Sequence, residues 1–267
     1  MTILHAPTLG TDPIKGWAIH PVHLATVYVN DEYFLALRYK NSISNAEWHG
    51  KETEQRINEF EKNLGPFPHK NMTLSSAYDL SQWALEMKQE KYHKIFTHAF
   101  IGMWAAFEAG LENTVATIIQ RDKVSAEGCA KQFKAGRYPI EQWPWSSEIC
   151  MEIAQKLDSR AKDQIQNGGV DIFGRVTTIF KWMALEISTD DKFINTLAEA
   201  NKVRNTVLHR YGVISQNDAK DIPNLKPYIG NVMPIDEHNF FAYYEAIHGT
   251  LTLIAKSIFN SRLLNKS

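Results

Sequence analysis

The sequence has little cysteine and no excess of charge of either sign. Its two cysteines, Cys129 and Cys150, are not in a CxxC pair and offer no disulfide framework, which suits a reduced, cytoplasmic compartment. Lys and Arg number 29 against 30 Asp and Glu, a net charge of −1. That balance excludes a protein that coats duplex DNA by bulk charge and leaves room only for a local basic patch. Long apolar runs are also missing. The longest covers residues 99–107 and is closed by Glu108, far short of the roughly 20 residues that span a bilayer. The opening MTILHAPTLGTDPIKG has no basic stretch followed by an apolar core, so no secretory leader is expected. Together these absences predict a soluble, cytoplasmic protein with no membrane partner.

The common catalytic signatures are absent as well. There is no GxxxxGK[ST], no HExxH and no GxSxG, and the glycines of NGGVDIFG do not form a dinucleotide fingerprint. His20 and His23 flank Pro21 in isolation, an unpromising ligand pair. Neither a metal nor a cofactor is expected.

What the chain does contain is helical periodicity. With 44% hydrophobic and 22% charged residues in 267, it is an ordinary globular composition, long enough to bury a core without staples. Leu74, Ala77, Leu80, Trp83/Ala84 and Met87 recur at threes and fours, and so do Phe96, Phe100, Met103/Trp104, Phe107, Leu111, Val115 and Ile118. These predict two amphipathic helices with a break near residues 91–93. A third stripe runs through Ile149, Ile153, Leu157, Ala161 and Ile165, stopped by Asn167-Gly168-Gly169. Further helices are expected through Val176 to Ile187, after a Thr189-Asp190-Asp191 cap, and from Asp236 onward. The prolines of residues 221–234 predict an ordered loop, and Trp143-Pro144-Trp145 a turn. Residues 22–39 and 47–64 read as helices in preference to short strands. The expectation is an all-α bundle over residues 71–267 preceded by a helical extension over residues 1–70.

One segment rises above this background. LAEANKVRNTVLHRYG, residues 197–212, holds Arg204, Asn205, His209 and Tyr211: an Arg-x4-His-x-Tyr pattern with Asn directly after the Arg. With nine Arg and ten His in the chain, an Arg followed four to six residues later by His is expected roughly once by chance. The added Asn and Tyr reduce that to roughly one in several hundred. On an ideal helix Arg204 and His209 are turned about 140° apart, whereas Asn205 and His209 share a face. A working Arg–His pair therefore calls for an irregular turn or a second chain, which a two-fold dimer supplies.

RNTVLHRY resembles the motif of the HEPN superfamily, all-α domains marked by Arg-x4–6-His, and is most similar to toxins carrying the longer Arg-x4-His-x-Tyr form. FIGMWAAFEAGLENTV, residues 100–115, is a weaker echo of an early HEPN helix. The resemblance leaves residues 1–70 and a loop around residues 122–146 unaccounted for. It implies a HEPN-like helical bundle, usually a homodimer, with metal-independent endoribonuclease activity as a toxin or antiviral defence effector. Its partner is RNA, and it needs no cofactor. On that reading His209 is general acid or base, since imidazole titrates near neutrality. Arg204 is the phosphate clamp, Asn205 orients the imidazole or its substrate, and Lys202 and Arg210 bind RNA. Glu108 either holds an active-site Arg or His or forms an ordinary surface ion pair. Tyr211 is either the target of a partner nucleotidyltransferase antitoxin or a residue packed at a helix end. Two other readings remain beside the enzyme. One is a catalytically silent HEPN module binding RNA, a nucleotide or a protein. The other is a plain bundle whose Arg204 and His209 merely offset a helix macrodipole near Gly212.

Overall fold

The computed structural model describes residues 16–165, 171–188 and 191–264. The expected Asn167-Gly168-Gly169 stop, the Thr189-Asp190 part of the next cap and the first fifteen residues lie outside them. The described residues are all-α: α1 (His20–Ala46), α2 (His49–Leu64), α3 (Lys70–Gln89), α4 (His93–Arg121), α5 (Lys123–Ala130), α6 (Ser147–Gln164), α7 (Ile172–Trp182), α8 (Asp191–Arg210), α9 (Gln216–Asp221) and α10 (Glu237–Phe259). Two short 3-10 helices and two isolated β-bridges complete the regular structure among them. None of these helices is long and apolar enough to cross a membrane.

Helix ends follow local chemistry. Lys91 and Tyr92 both take left-handed φ, 53° and 59°, and break α3 from α4 where the periodicity lapses. Asp122 and Asp171 accept from the backbone N–H groups of Ser125 (2.9 Å) and Gly174 (2.7 Å) to cap α5 and α7. Ser146 caps α6, its hydroxyl accepting from Ile149 N–H at 3.4 Å. The stretch around residues 122–146 holds α5 and a 3-10 turn, Ile140–Gln142, and the proline-rich loop contains the 3-10 helix Pro223–Tyr228.

The chain forms two compact units, and they do not divide at residue 70. One comprises Met1–Asp31, Ile101–Met233 and Ala242–Ser267, the other Glu32–Phe100 and Pro234–Phe241. The first part of α1 belongs with the motif-bearing unit because it lies close against α4. A Cβ on Gly110 of α4 would fall 2.3 Å from that of Ala25. In this unit Trp104, Phe107, Ile153, Leu157, Phe173, Phe180, Tyr243, Ile247 and Leu251 fill the core, with α7 packed on both α6 and α8.

In the other unit α2 packs on α3. The α3 face differs from the expected stripe: Leu80 and Trp83 are exposed, and Ser81 is buried in their place. Its hydroxyl accepts from Gly50 N–H at 2.8 Å and donates to Ala46 carbonyl at 3.2 Å. A polar group at the helix–helix contact is satisfied by backbone there, and the apolar pair turns outward. Phe240 stacks on Tyr33 and Phe96 with ring centroids 5.5 and 4.8 Å away.

His93 ties the two segments of that unit together. Its Nδ1 accepts the N–H of fully buried Ile235 at 2.8 Å, so the ring is neutral. Burial holds its pKa below the ordinary value, with Lys94 adding to the lowering and Glu90 pulling upward. A lowered folded-state pKa gives stability present above the unfolded value and lost as pH falls through the folded one. Thermal melts of the wild type should therefore weaken more between pH 7 and 5 than those of His93→Gln, whose amide oxygen still accepts from Ile235; parallel losses would contradict this.

Candidate functional site

Helix α8 carries the whole Arg-Asn-x3-His motif, and its burial pattern decides which side chains are free to act. Leu197, Ala198, Ala200, Asn201, Val203 and Thr206 are buried, which leaves Arg204 and Asn205 at the margin and Leu208, His209 and Arg210 in solvent. The helix is regular through Arg210. Tyr211 and Gly212 then turn left-handed, with φ 54° and 83°, and Gly212 N–H donates back to Thr206 carbonyl at 2.9 Å. Gly suits that place. The next residues are pinned by bridges from Val213 to Val232 and from Ile214 to Ile229. The end of α8 is thus fixed.

Arg204 is the most constrained member of the motif. Its side chain is 23% exposed, and Nη2 pairs with Glu108 Oε2 across 96 residues of sequence. Nη1 donates to Asn205 Oδ1 at 2.9 Å. Two of the five guanidinium N–H donors are engaged by these bonds, which leaves three for a ligand. Glu108 stands on the α4 face formed by Trp104, Phe107 and Leu111, so a core helix sets the position of the guanidinium. The structure brings Asn205 to Arg204 and not to His209, although Asn205 and His209 share a helix face.

The two flanking cations are also held within the chain. Lys202 Nζ donates to Asp221 Oδ2 at 2.9 Å and lies 3.9 Å from Asp218. Arg210 Nη2 donates to Asp218 Oδ2 at 2.6 Å. Asp218 is 7% exposed and closes a capping box with Ser215, accepting from its N–H at 2.9 Å and its hydroxyl at 2.6 Å. Burial opposes its ionisation, but the Ser215 bonds and Arg210 outweigh burial and hold its carboxyl below the usual range. Each cation at the motif therefore has a carboxylate partner: Glu108 for Arg204, Asp221 for Lys202, Asp218 for Arg210.

His209 has no hydrogen-bond partner among the described residues and stands in solvent, as an acid or base that meets its substrate from outside must. Because α8 is regular from Arg204 to His209, no irregular turn brings these two together within the chain. Tyr211 does not pack at the helix end as one sequence reading had it; it is 93% exposed, its backbone turned outward by the left-handed φ. The carboxylates Asp218 and Asp221 were not foreseen, though Ser215-x-x-Asp218 is a readable capping-box signal.

Glu108 faces a second feature. A cavity of about 160 Å³ lies between α4, α6 and α7, walled by Trp104, Phe107 and Val176, with Glu108, Glu112, Asp158 and Arg175 as its charged groups. Among the described residues no cluster of three or more His, Cys, Asp or Glu is placed to hold a metal ion. Comparison with protein-family models, curated proteins and solved structures gives no match.

Replacing Asp218 by Ala strands the Ser215 N–H and Arg210 and loosens the segment that follows α8. Urea unfolding should show a loss of about 2 kcal/mol, the sum of a lost cap and a buried charged acceptor; a change below about 0.5 kcal/mol would show that the box does not hold this segment.

Proposed function

We propose that this chain is a metal-independent endoribonuclease of the HEPN kind, acting as a toxin or antiviral defence effector. The observation that carries the reading is the pairing of a held arginine with a free imidazole on one helix. Arg204 is fixed by Glu108 and Asn205 with donors to spare, and His209 is open to solvent. In such a reaction the 2′-hydroxyl attacks the adjacent phosphorus as its proton is taken, the P–O5′ bond breaks, and the 5′-oxygen leaves as a hydroxyl after gaining a proton. The products are a 2′,3′-cyclic phosphate and a 5′-hydroxyl. One imidazole, or one from each of two chains, moves those protons, while a guanidinium stabilises the charge that grows on the phosphate oxygens.

Arg204 and His209 point away from each other along a regular helix, so the centre is assigned to a homodimer in which Arg204 of one chain faces the imidazole of the other. Lys202 and Arg210 then act as RNA contacts by exchanging Asp221 and Asp218 for phosphate. Tyr211, exposed beside His209, is the residue an antitoxin nucleotidyltransferase would modify. The carboxylate partners of all three cations favour a second reading: a silent HEPN module that binds RNA, a nucleotide or a protein without cleaving.

Incubation of total RNA and purified tRNA with the protein in EDTA separates the two. The enzyme reading expects cleavage that leaves cyclic phosphates, reduced at least about 100-fold in His209→Ala and Arg204→Ala with unchanged melting temperatures. Intact RNA in all three reactions would give the ground to the binding module.

A further inference from the structure

The cavity beside Glu108 is built unlike the rest of the core. The α4 residues Trp104, Phe107, Glu108 and Glu112 lie on one helical face, and α7 places Arg175 on the cavity wall. Arg175 is 12% exposed; its Nη1 donates to Asp158 at 2.7 Å, yet its buried Nε has no hydrogen-bond partner among the described residues. Glu112 has only a stretched 3.5 Å contact from Gln155. The cavity wall thus carries a buried donor without a partner, a condition native interiors rarely leave unmet, beside a partly exposed carboxylate with acceptor capacity to spare. At about 160 Å³ the space is close to the 150 Å³ that admits a benzene ring, so it suits one ring rather than two.

The charges limit the occupant further. Asp158 is paired with Arg175 and Glu108 with Arg204, so Glu112 is left to accept and the Arg175 Nε to donate, which together match a ring edge carrying a donor beside an acceptor. Among unpaired bases, cytosine combines a single ring with an exocyclic amine for a carboxylate and ring N3 and O2 acceptors for a guanidinium. Uracil would set a carbonyl oxygen against the carboxylate, and the purines bring a second ring. We propose that this cavity receives a cytosine base, with Glu112 accepting from its amine and Arg175 donating to its acceptors. Its role as the base-selection pocket of an RNA-cleaving centre, reached through the Glu108 that also holds Arg204, rests on the ribonuclease reading; the binding itself does not.

Calorimetry on the full chain tests this with CMP, UMP and AMP, and with deoxytetranucleotides that contain cytosine or uracil and have no 2′-hydroxyl to react. The cytosine ligand should bind at least tenfold tighter than its uracil counterpart and tighter than AMP. Glu112→Gln should erase the preference, and Ala154→Leu, which fills the cavity, should abolish cytosine binding without lowering the melting temperature. Preference shown by CMP alone marks a free-nucleotide site, and preference that needs the tetranucleotide marks a substrate subsite; either supports the assignment. Equal binding of cytosine and uracil, equal binding of AMP, or a preference untouched by Ala154→Leu would overturn it. Cytosine preference without cleavage of any RNA would leave the pocket standing and remove the ribonuclease reading, and cleavage without base preference would do the reverse.

Discussion

The ion pair between Arg204 and Glu108 joins the motif helix to the core, and most of the site's geometry depends on it. Glu108 lies on α4 beside Trp104 and Phe107, both almost wholly buried, so its backbone cannot shift without disturbing the core. Arg204 is thereby fixed at one end of a long side chain whose freedom would otherwise cost entropy each time it met a ligand. The pair is also partly exposed, with Glu108 at 43%, so its net contribution to stability is small. Its value lies in positioning, since a held guanidinium presents its remaining donors in one orientation.

Charge at this site is arranged by exchange, not by excess. A neutral chain cannot attract RNA through bulk field, and the three cations of α8 are each matched by a carboxylate within reach. Asp218 is the centre of that arrangement because it closes the Ser215 capping box of α9, accepts from Arg210 and lies near Lys202. On the proposed reading, phosphate takes the place of Asp221 on Lys202 and of Asp218 on Arg210, whereas Arg204 keeps Glu108 and offers its remaining donors. The same balance lets the protein keep a cluster of cations on one helix without self-repulsion.

Much of the fold was legible in the sequence because helical burial writes a period that few other structures mimic. The α4 stripe and the break at residues 91–93 stand as read; the α6 stripe holds at Ile153, Leu157 and Ala161, but Ile149 is exposed in the first turn and the helix ends before Ile165. Asp122, Ser146 and Asp171 each cap a helix with a side-chain oxygen, which the burial period does not mark. The α3 face was misread at Leu80 and Trp83 because a buried Ser81 satisfied by the backbone of α1 and α2 carries no periodic signal. The expected boundary at residue 70 does not follow the two units, because the first part of α1 joins the motif-bearing unit, where Ala25 meets Gly110 from 85 positions away. At the site, the motif and Glu108 were visible as residue types, and the partnership of Glu108 with Arg204 was one of the alternatives. That Asn205 turns to Arg204 and that Tyr211 faces solvent depend on rotamers and on a left-handed turn, which spacing does not encode.

On the proposed reading, the regularity of α8 lets Arg204 and His209 complete a centre only across two chains. Mixing Arg204→Ala protein with His209→Ala protein tests it, with RNA cleavage measured after subunit exchange. A shared centre leaves one intact site in each mixed dimer, so two inactive preparations should recover roughly a quarter of wild-type activity at equal amounts. No recovery, in a mixture shown to have exchanged subunits, would contradict a centre built from the Arg of one chain and the His of the other.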